Sequence, residues 1–211
     1  MIKVISFDLD KTLIAKNFDK VFWFKEIPRL YAEQYQVSFT TAYKTVTAAY
    51  RSSSPDKANW YDVEYWFRRF KLKHDWKKVI HDLKHHVKIY RETTPVIKEL
   101  SKKYRLIVIT HSIRKFVKVK QRVENLNSYF YRIYSVPSDF KSTKKDIVIF
   151  KKILKDLKIK PGEMLHIGDN KKYDYEMPRK IGIKTLLLDR TKKQKGKYVI
   201  YTLKSVKRFL N

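Results

Sequence analysis

Lys3-Val4-Ile5-Ser6-Phe7-Asp8-Leu9-Asp10-Lys11-Thr12-Leu13 stands almost at the start of the chain. Its first half is rich in strand formers and its second half turns polar, so it reads as a strand ending at Phe7 and a loop carrying two carboxylates. A second run, Arg105-Leu106-Ile107-Val108-Ile109-Thr110, is apolar without interruption, as expected of a parallel strand buried on both faces. From there helical and strand-like segments alternate. A helix is expected over residues 113–126, a strand over 132–135, a helix over 144–157, a strand over 164–167, a helix over 173–181, a strand over 185–188 and a closing strand-helix pair over 198–210. Such alternation predicts an α/β fold with a doubly wound parallel sheet.

Between the first two strands the pattern is different. From about Phe18 to Tyr90 nothing alternates like a strand, and apolar residues recur at helical spacing, as in Val21, Phe24, Ile27, Leu30 and Tyr31. Asp75 can cap a helix over 76–90, Ser52-Ser53-Ser54-Pro55-Asp56 reads as a loop between helices, and Thr94-Pro95 opens the next helix, through Lys103. The organisation expected is a core formed by residues 1–14 and 93–211, and an all-helical insert of four helices over 15–92.

The 211 residues suit one core with a modest inserted domain, and at 43% hydrophobic they can bury it. There is no cysteine, which excludes disulfides, thiolate metal sites and a cysteine nucleophile, so the chemistry rests on oxygen and nitrogen groups. A strand-like segment stands where a secretory leader would need a basic start and an apolar run, and no window is long and apolar enough to span a membrane. A cytoplasmic protein is expected. Net charge is +28, split as +7 over residues 15–92 and +21 over the remainder, so the surplus is spread and not gathered in one arm. Lysines such as Lys151, Lys152 and Lys155 read as the solvated face of a helix, although a field of this size attracts polyanions, nucleic acid included.

In an open parallel sheet, ligands bind where loops converge at the carboxyl ends of strands near the switch in strand order. That expectation gathers Asp8 and Asp10 after the first strand, Thr110 at the end of another, Asp169 after a third and Lys144 at the start of a helix after a fourth. Phosphoryl transfer requires a nucleophile, a metal, donors for the equatorial oxygens and an acid for the leaving group, and this set supplies each. Carboxylates without cysteine suit Mg²⁺.

These residues resemble the haloacid dehalogenase (HAD) superfamily. Asp8-Leu9-Asp10-Lys11-Thr12-Leu13 is similar to its first motif, and Leu106 to Thr110 to the strand ending in the threonine of its second. Lys144 to Phe150 (KKDIVIF) is similar to the family's KPDPxIF stretch, and His166-Ile167-Gly168-Asp169 with Asp174 to its GDxxxxD motif. The helical insert sits where the family places its C1 cap. The resemblance implies a phosphatase acting on a small phosphorylated substrate, with Asp8 as nucleophile and Asp10 as acid and base. It implies Mg²⁺ held by Asp8, Asp169 and the backbone carbonyl of Asp10 with support from Asp174, and a phosphoryl group bound by Thr110, the backbone N–H of His111 and Lys144. Lys141 and Lys145 lie close to Lys144, and Lys145 stands where the family has proline. Dehalogenases of the family lack an acid two residues after the nucleophile, so Asp10 favours a phosphatase.

Competing readings are specific. Asp8 and Asp10 could be turn residues, and Asp169 or Asp174 a helix cap. His74, His81, His85 and His86 read as solvated surface, and Trp60, Trp66, Phe67 and Phe70 as packing rather than a base-stacking platform. A receiver domain places its acidic pair before its phosphoacceptor, the reverse of the order here. The remaining alternative is a nucleic-acid-binding protein, or a phosphatase acting on nucleotides or nucleic-acid ends, drawn by the basic surface.

Overall fold

A computed structural model of the chain describes residues 1–15, 17–53 and 58–210. Six parallel strands form the sheet in the order β5-β4-β1-β6-β7-β8: β1 Val4–Phe7, β4 Arg105–Thr110, β5 Arg132–Ser135, β6 Met164–Gly168, β7 Lys184–Leu188 and β8 Val199–Ile200. The chain winds outward from β1 through β4 to β5, crosses back to β6, and winds outward the other way. The order therefore reverses at β1, whose neighbours are β4 and β6.

Alternation along each strand feeds two apolar layers. Val4, Ile107, Ile109 and Met164 point to one face, where the helix Ile147–Leu157 covers them with Ile149, Phe150, Ile153, Leu154 and Leu157. Ile5, Phe7, Leu106, Val108, Leu165 and Ile167 point to the other face, packed by Val96 and Ile97 of the helix Thr93–Leu100 and by Phe116 and Val117 of the helix Arg114–Lys120. Both faces being covered explains why β1 and β4 read as unbroken apolar runs.

The segment between β1 and β4 is helical: a continuous run made of Phe18–Val21, Phe22–Glu26 and Ile27–Tyr35, then Phe39–Ser52, Val63–Arg69 and Trp76–Asp82. The caps follow local chemistry. Ser38 accepts from the Thr41 N–H at 3.1 Å, Asp62 from Glu64 at 2.9 Å and Asp75 from Lys77 at 2.9 Å. Where the segment leaves and re-enters the sheet domain, two short strands, β2 Ile14–Ala15 and β3 Lys88–Ile89, pair antiparallel. The insert does not stand apart from the core: Phe18, Phe22, Ile27, Val46 and Trp66 belong to the same buried cluster as Ile5 and Phe7. Phe116 joins them, 4.9 Å from Phe22 and 5.8 Å from Trp23 between ring centroids.

Several boundaries differ from expectation. The helix expected over 76–90 ends at Asp82, followed by a tight turn Leu83–His86 and by β3, a pair of residues too short to show a period. The helix expected over 113–126 stops at Lys120, because Glu124 and Asn125 adopt left-handed backbone. The helix expected from 144 begins at Ile147, where Asp146 caps Val148 and Ile149, so Lys144 and Lys145 lie in the loop ahead of it. Ser53 closes the helix Phe39–Ser52, and the remainder of the predicted loop, Ser54-Pro55-Asp56, lies outside the described residues. Among the described residues no helix is long and apolar enough to cross a membrane.

Candidate active site

Asp8 lies one residue beyond β1, its N–H donating to the Ile167 carbonyl of β6 at 2.8 Å. In register it is level with Ile109 and Gly168, so Thr110 and Asp169 follow one step later on either side. Parallel pairing at the switch point thus brings three separate loops together. Asp8, Asp169 and Asp174 each offer an oxygen, all within 4.8 Å of one another.

Lys145 anchors this group. Fully buried, its ammonium donates to Asp8 Oδ1 at 2.8 Å and to the Ile109 carbonyl at 3.1 Å, and it contacts Asp174 directly. Asp174 Oδ2 also accepts from the Asn170 N–H at 2.9 Å, and its Oδ1 lies 3.2 Å from His166 Nε2. Because Asp174 can only accept, the pattern assigns the His166 proton to Nε2, leaving Nδ1 to accept from the Ser6 hydroxyl at 2.6 Å. The approach of Asp174 requires Gly168, since a Cβ there would stand 2.3 Å from the Asp174 carboxyl carbon.

One ammonium serves two carboxylates, and the charges divide accordingly. Against the effect of burial, Lys145 and then His166 hold Asp174 below the usual carboxylate range. Burial pushes Asp8 well above that range, with Asp174 and Asp169 adding to the effect and Lys145 opposing it. Asp169 is raised in the same direction by burial and by Asp174. Asp8 and Asp169 therefore sit side by side as oxygen donors, Asp8 sharing Lys145 with Asp174 and Asp169 lying 3.7 Å from the Lys11 ammonium. This donor set fits a hard divalent cation such as Mg²⁺, with Asp174 behind it.

Asp10 is positioned separately. Its carboxylate is turned to Lys120, whose ammonium donates to Oδ1 at 2.7 Å and Oδ2 at 2.9 Å, pairs with Asp19 at 2.7 Å and donates to Ser112 Oγ at 3.1 Å. The Asp10 carboxylate thus stands outside the three-aspartate group, which corrects any place for that side chain among the ligands and leaves its backbone carbonyl as the group the resemblance implied. Thr110 is buried at the cleft wall, its hydroxyl oxygen accepting from the Ser112 N–H at 3.0 Å. The His111 ring accepts the Lys145 backbone N–H at Nε2, 3.0 Å away, and so fastens the loop that delivers Lys145.

Lys144 is the expectation that geometry corrects. It is exposed, with its backbone hydrogen-bonded to Ser142, while Lys145 occupies the place beside Asp8. The Asp146 cap starts the helix three residues further on than expected and turns the second lysine inward. Sequence reasoning also missed Lys120, one lysine among many, and Arg190. Arg190 donates to the carbonyls of Thr12 at 2.8 Å and Lys11 at 3.2 Å, clamping the loop after β1. Nothing in local sequence marks either residue, because both act across long separations.

Asp8, Asp10, Thr110, His111, Asp169 and Asp174 floor a cleft of about 820 Å³ whose opposite wall comes from the helical insert, Trp23, Phe24, Tyr43, Trp60 and Tyr61 included. A doubly wound sheet with clustered carboxylates and a buried lysine at its switch point defines a hydrolase-type α/β site. The chain belongs to the haloacid dehalogenase-like hydrolase family, whose model matches residues 5–188. It is similar in structure to a HAD phosphatase from Thermococcus onnurineus, at 20% identity and a TM-score of 0.83, over 100% of this chain and 98% of that one. It is also similar to a 2-haloacid dehalogenase from Pseudomonas syringae pv. Tomato DC3000 (19%, TM-score 0.71, 100% and 98% covered). A third is the HAD hydrolase YfnB from Bacillus subtilis, solved bound to magnesium (16%, TM-score 0.69, 100% and 99% covered). No curated protein matches the chain.

Proposed function

We propose that this protein is a Mg²⁺-dependent phosphatase that hydrolyses phosphate monoesters through an aspartyl-phosphate on Asp8. The observation that carries the reading is the pair of differently held carboxylates in one cleft: Asp8 against Lys145, and Asp10 against Lys120. A dehalogenase needs the first and has no use for the second.

One oxygen of Asp8 is held by Lys145, which leaves the other to attack phosphorus. As the bond from phosphorus to the leaving oxygen breaks, Asp10 gives that oxygen a proton. In the second step a water attacks the phosphorus of the aspartyl-phosphate and loses its proton to Asp10, and the bond to Asp8 breaks, releasing phosphate with Asp8 again a carboxylate and Asp10 again the protonated acid. Lys145 and Thr110 face the transferring group and stabilise its charge. Lys120 keeps the Asp10 carboxylate oriented through both turnovers. A bound Mg²⁺, held by Asp8 and Asp169 with the Asp10 carbonyl and supported by Asp174, would neutralise phosphate charge that otherwise repels the nucleophile.

The test is hydrolysis of p-nitrophenyl phosphate with and without Mg²⁺, beside halide release from 2-chloropropionate. Metal-dependent phosphate release that Asp8→Asn abolishes, with circular dichroism unchanged, is expected. Halide release without phosphatase activity would overturn the reading.

A further inference from the structure

The wall opposite the carboxylates is aromatic in a way that packing does not require. Several large rings of the insert are buried: Phe18, Phe22 and Trp66 are at 0% exposure, and Phe67 and Phe70 are nearly so. These satisfy the packing role expected from their helical spacing. Phe24 and Tyr43 do not, being 36% and 39% exposed while lining the cleft. Trp60, which the sequence grouped with the packing residues, lines it as well.

Phe24 and Trp60 are backed by other rings. Trp23 is backed by Phe22 at 4.8 Å, Tyr50 at 5.8 Å and Phe116 at 5.8 Å. Trp60 leans on Trp23 at 6.3 Å with the planes 37° apart, and Phe24 stands edge-on to Tyr50 at 6.1 Å. Neither of those two contacts is a parallel stack that would hide a ring face. Lys20 joins the same wall, placing a cation beside the rings. The cleft is several times larger than a phosphoryl group needs and falls in the range of sites that bury whole ligands. Aromatic surfaces of this kind stack planar rings, since every ring has a π-face to offer.

We propose that the cleft selects phosphate monoesters whose leaving group carries a planar aromatic ring, seated against Phe24, Tyr43 and Trp60 while the phosphate meets Asp8. This rests on the phosphatase reading above. Nucleoside monophosphates and pyridoxal-type phosphates share this chemistry, whereas a bare sugar phosphate lacks the ring.

The experiment compares kcat/KM for adenosine 5′-monophosphate, uridine 5′-monophosphate, pyridoxal 5′-phosphate and ribose 5-phosphate, with glycerol 2-phosphate, which carries no ring, as the control for hydrolysis itself. At least one ring-bearing ester should exceed ribose 5-phosphate by roughly ten- to hundredfold, the span of single aromatic stacking contacts. The arms identify whether the ring is a nucleobase or a pyridine. In Phe24→Ala/Tyr43→Ala, with circular dichroism checking that the fold is kept, that ratio should fall to within about threefold. Hydrolysis of these esters with no ring-bearing one preferred over ribose 5-phosphate overturns the inference and leaves the phosphatase reading standing. If no ester is hydrolysed, the phosphatase reading fails, and tryptophan fluorescence decides the wall. Quenching by the ring-bearing esters but not by ribose 5-phosphate supports it; equal or absent quenching overturns it.

Discussion

Lys145 is a charged side chain at 0% exposure, and such a group is tolerated only where its hydrogen bonds and charge are met, here by Asp8, Asp174 and the Ile109 carbonyl. Its neighbour Lys144 is exposed. Lys145→Met should therefore lower kcat by roughly a hundred- to a thousandfold, the loss typical of one removed transition-state donor, while Lys144→Met changes it less than about twofold. Steady-state kinetics on p-nitrophenyl phosphate checks the pair, and a large loss in Lys144→Met would return the role to that lysine. Lys120 invites a different measurement. Replacing it by Met frees the Asp10 and Asp19 carboxylates, and circular dichroism checks that the fold is kept. An unaligned acid matters most where the leaving oxygen is a poor one. Lys120→Met should cost about a hundredfold or more on an alkyl phosphate and under about tenfold on p-nitrophenyl phosphate, and equal losses would assign Lys120 a purely structural role. At this scale the aspartates were legible because their spacing after apolar strands is local. The choice between Lys144 and Lys145 was not, because it turns on which way one loop residue faces.

Among the elements, the helix Ile147–Leu157 shows how a cap sets a site. Asp146 accepts from the N–H groups of Val148 at 3.0 Å and Ile149 at 3.2 Å, fixing where the helix starts and hence where Lys145 leaves the loop. Asp146→Ala should destabilise the protein by about 1 kcal/mol, a fall in melting temperature of roughly 2–4 °C, and lower activity by misplacing Lys145. An unchanged melting curve would show that the helix start is set by packing instead. The long elements were readable from periodicity, β1 and β4 as apolar runs and the amphipathic helices of the insert by their 3.6-residue spacing. The two-residue strands β2 and β3 were not, since their pairing depends on bringing Ile14 next to Ile89.

Across the whole molecule the surplus of +28 is the dominant field. Lys151, Lys152 and Lys155 lie exposed on the outer side of their helix, as expected of a solvated face. Such a field draws polyanions over about a Debye length, ~10 Å at 0.1 M salt. A fluorescent single-stranded oligonucleotide should bind at low salt and dissociate as salt rises, measured by anisotropy; no binding at low salt would remove nucleic acid from the candidate partners.

The order of apolar runs, the helical insert between the first two strands and the carboxylates at strand ends followed from the sequence, because hydrophobic period and strand-end polarity are properties of neighbouring residues. Tertiary structure alone decided that Lys145 holds Asp8, that Lys120 holds Asp10, that Arg190 clamps the loop just after Asp10, and that Phe24, Tyr43 and Trp60 face the cleft. Each of these joins residues far apart in the chain, and which side chain arrives is settled by helix starts, strand register and packing together.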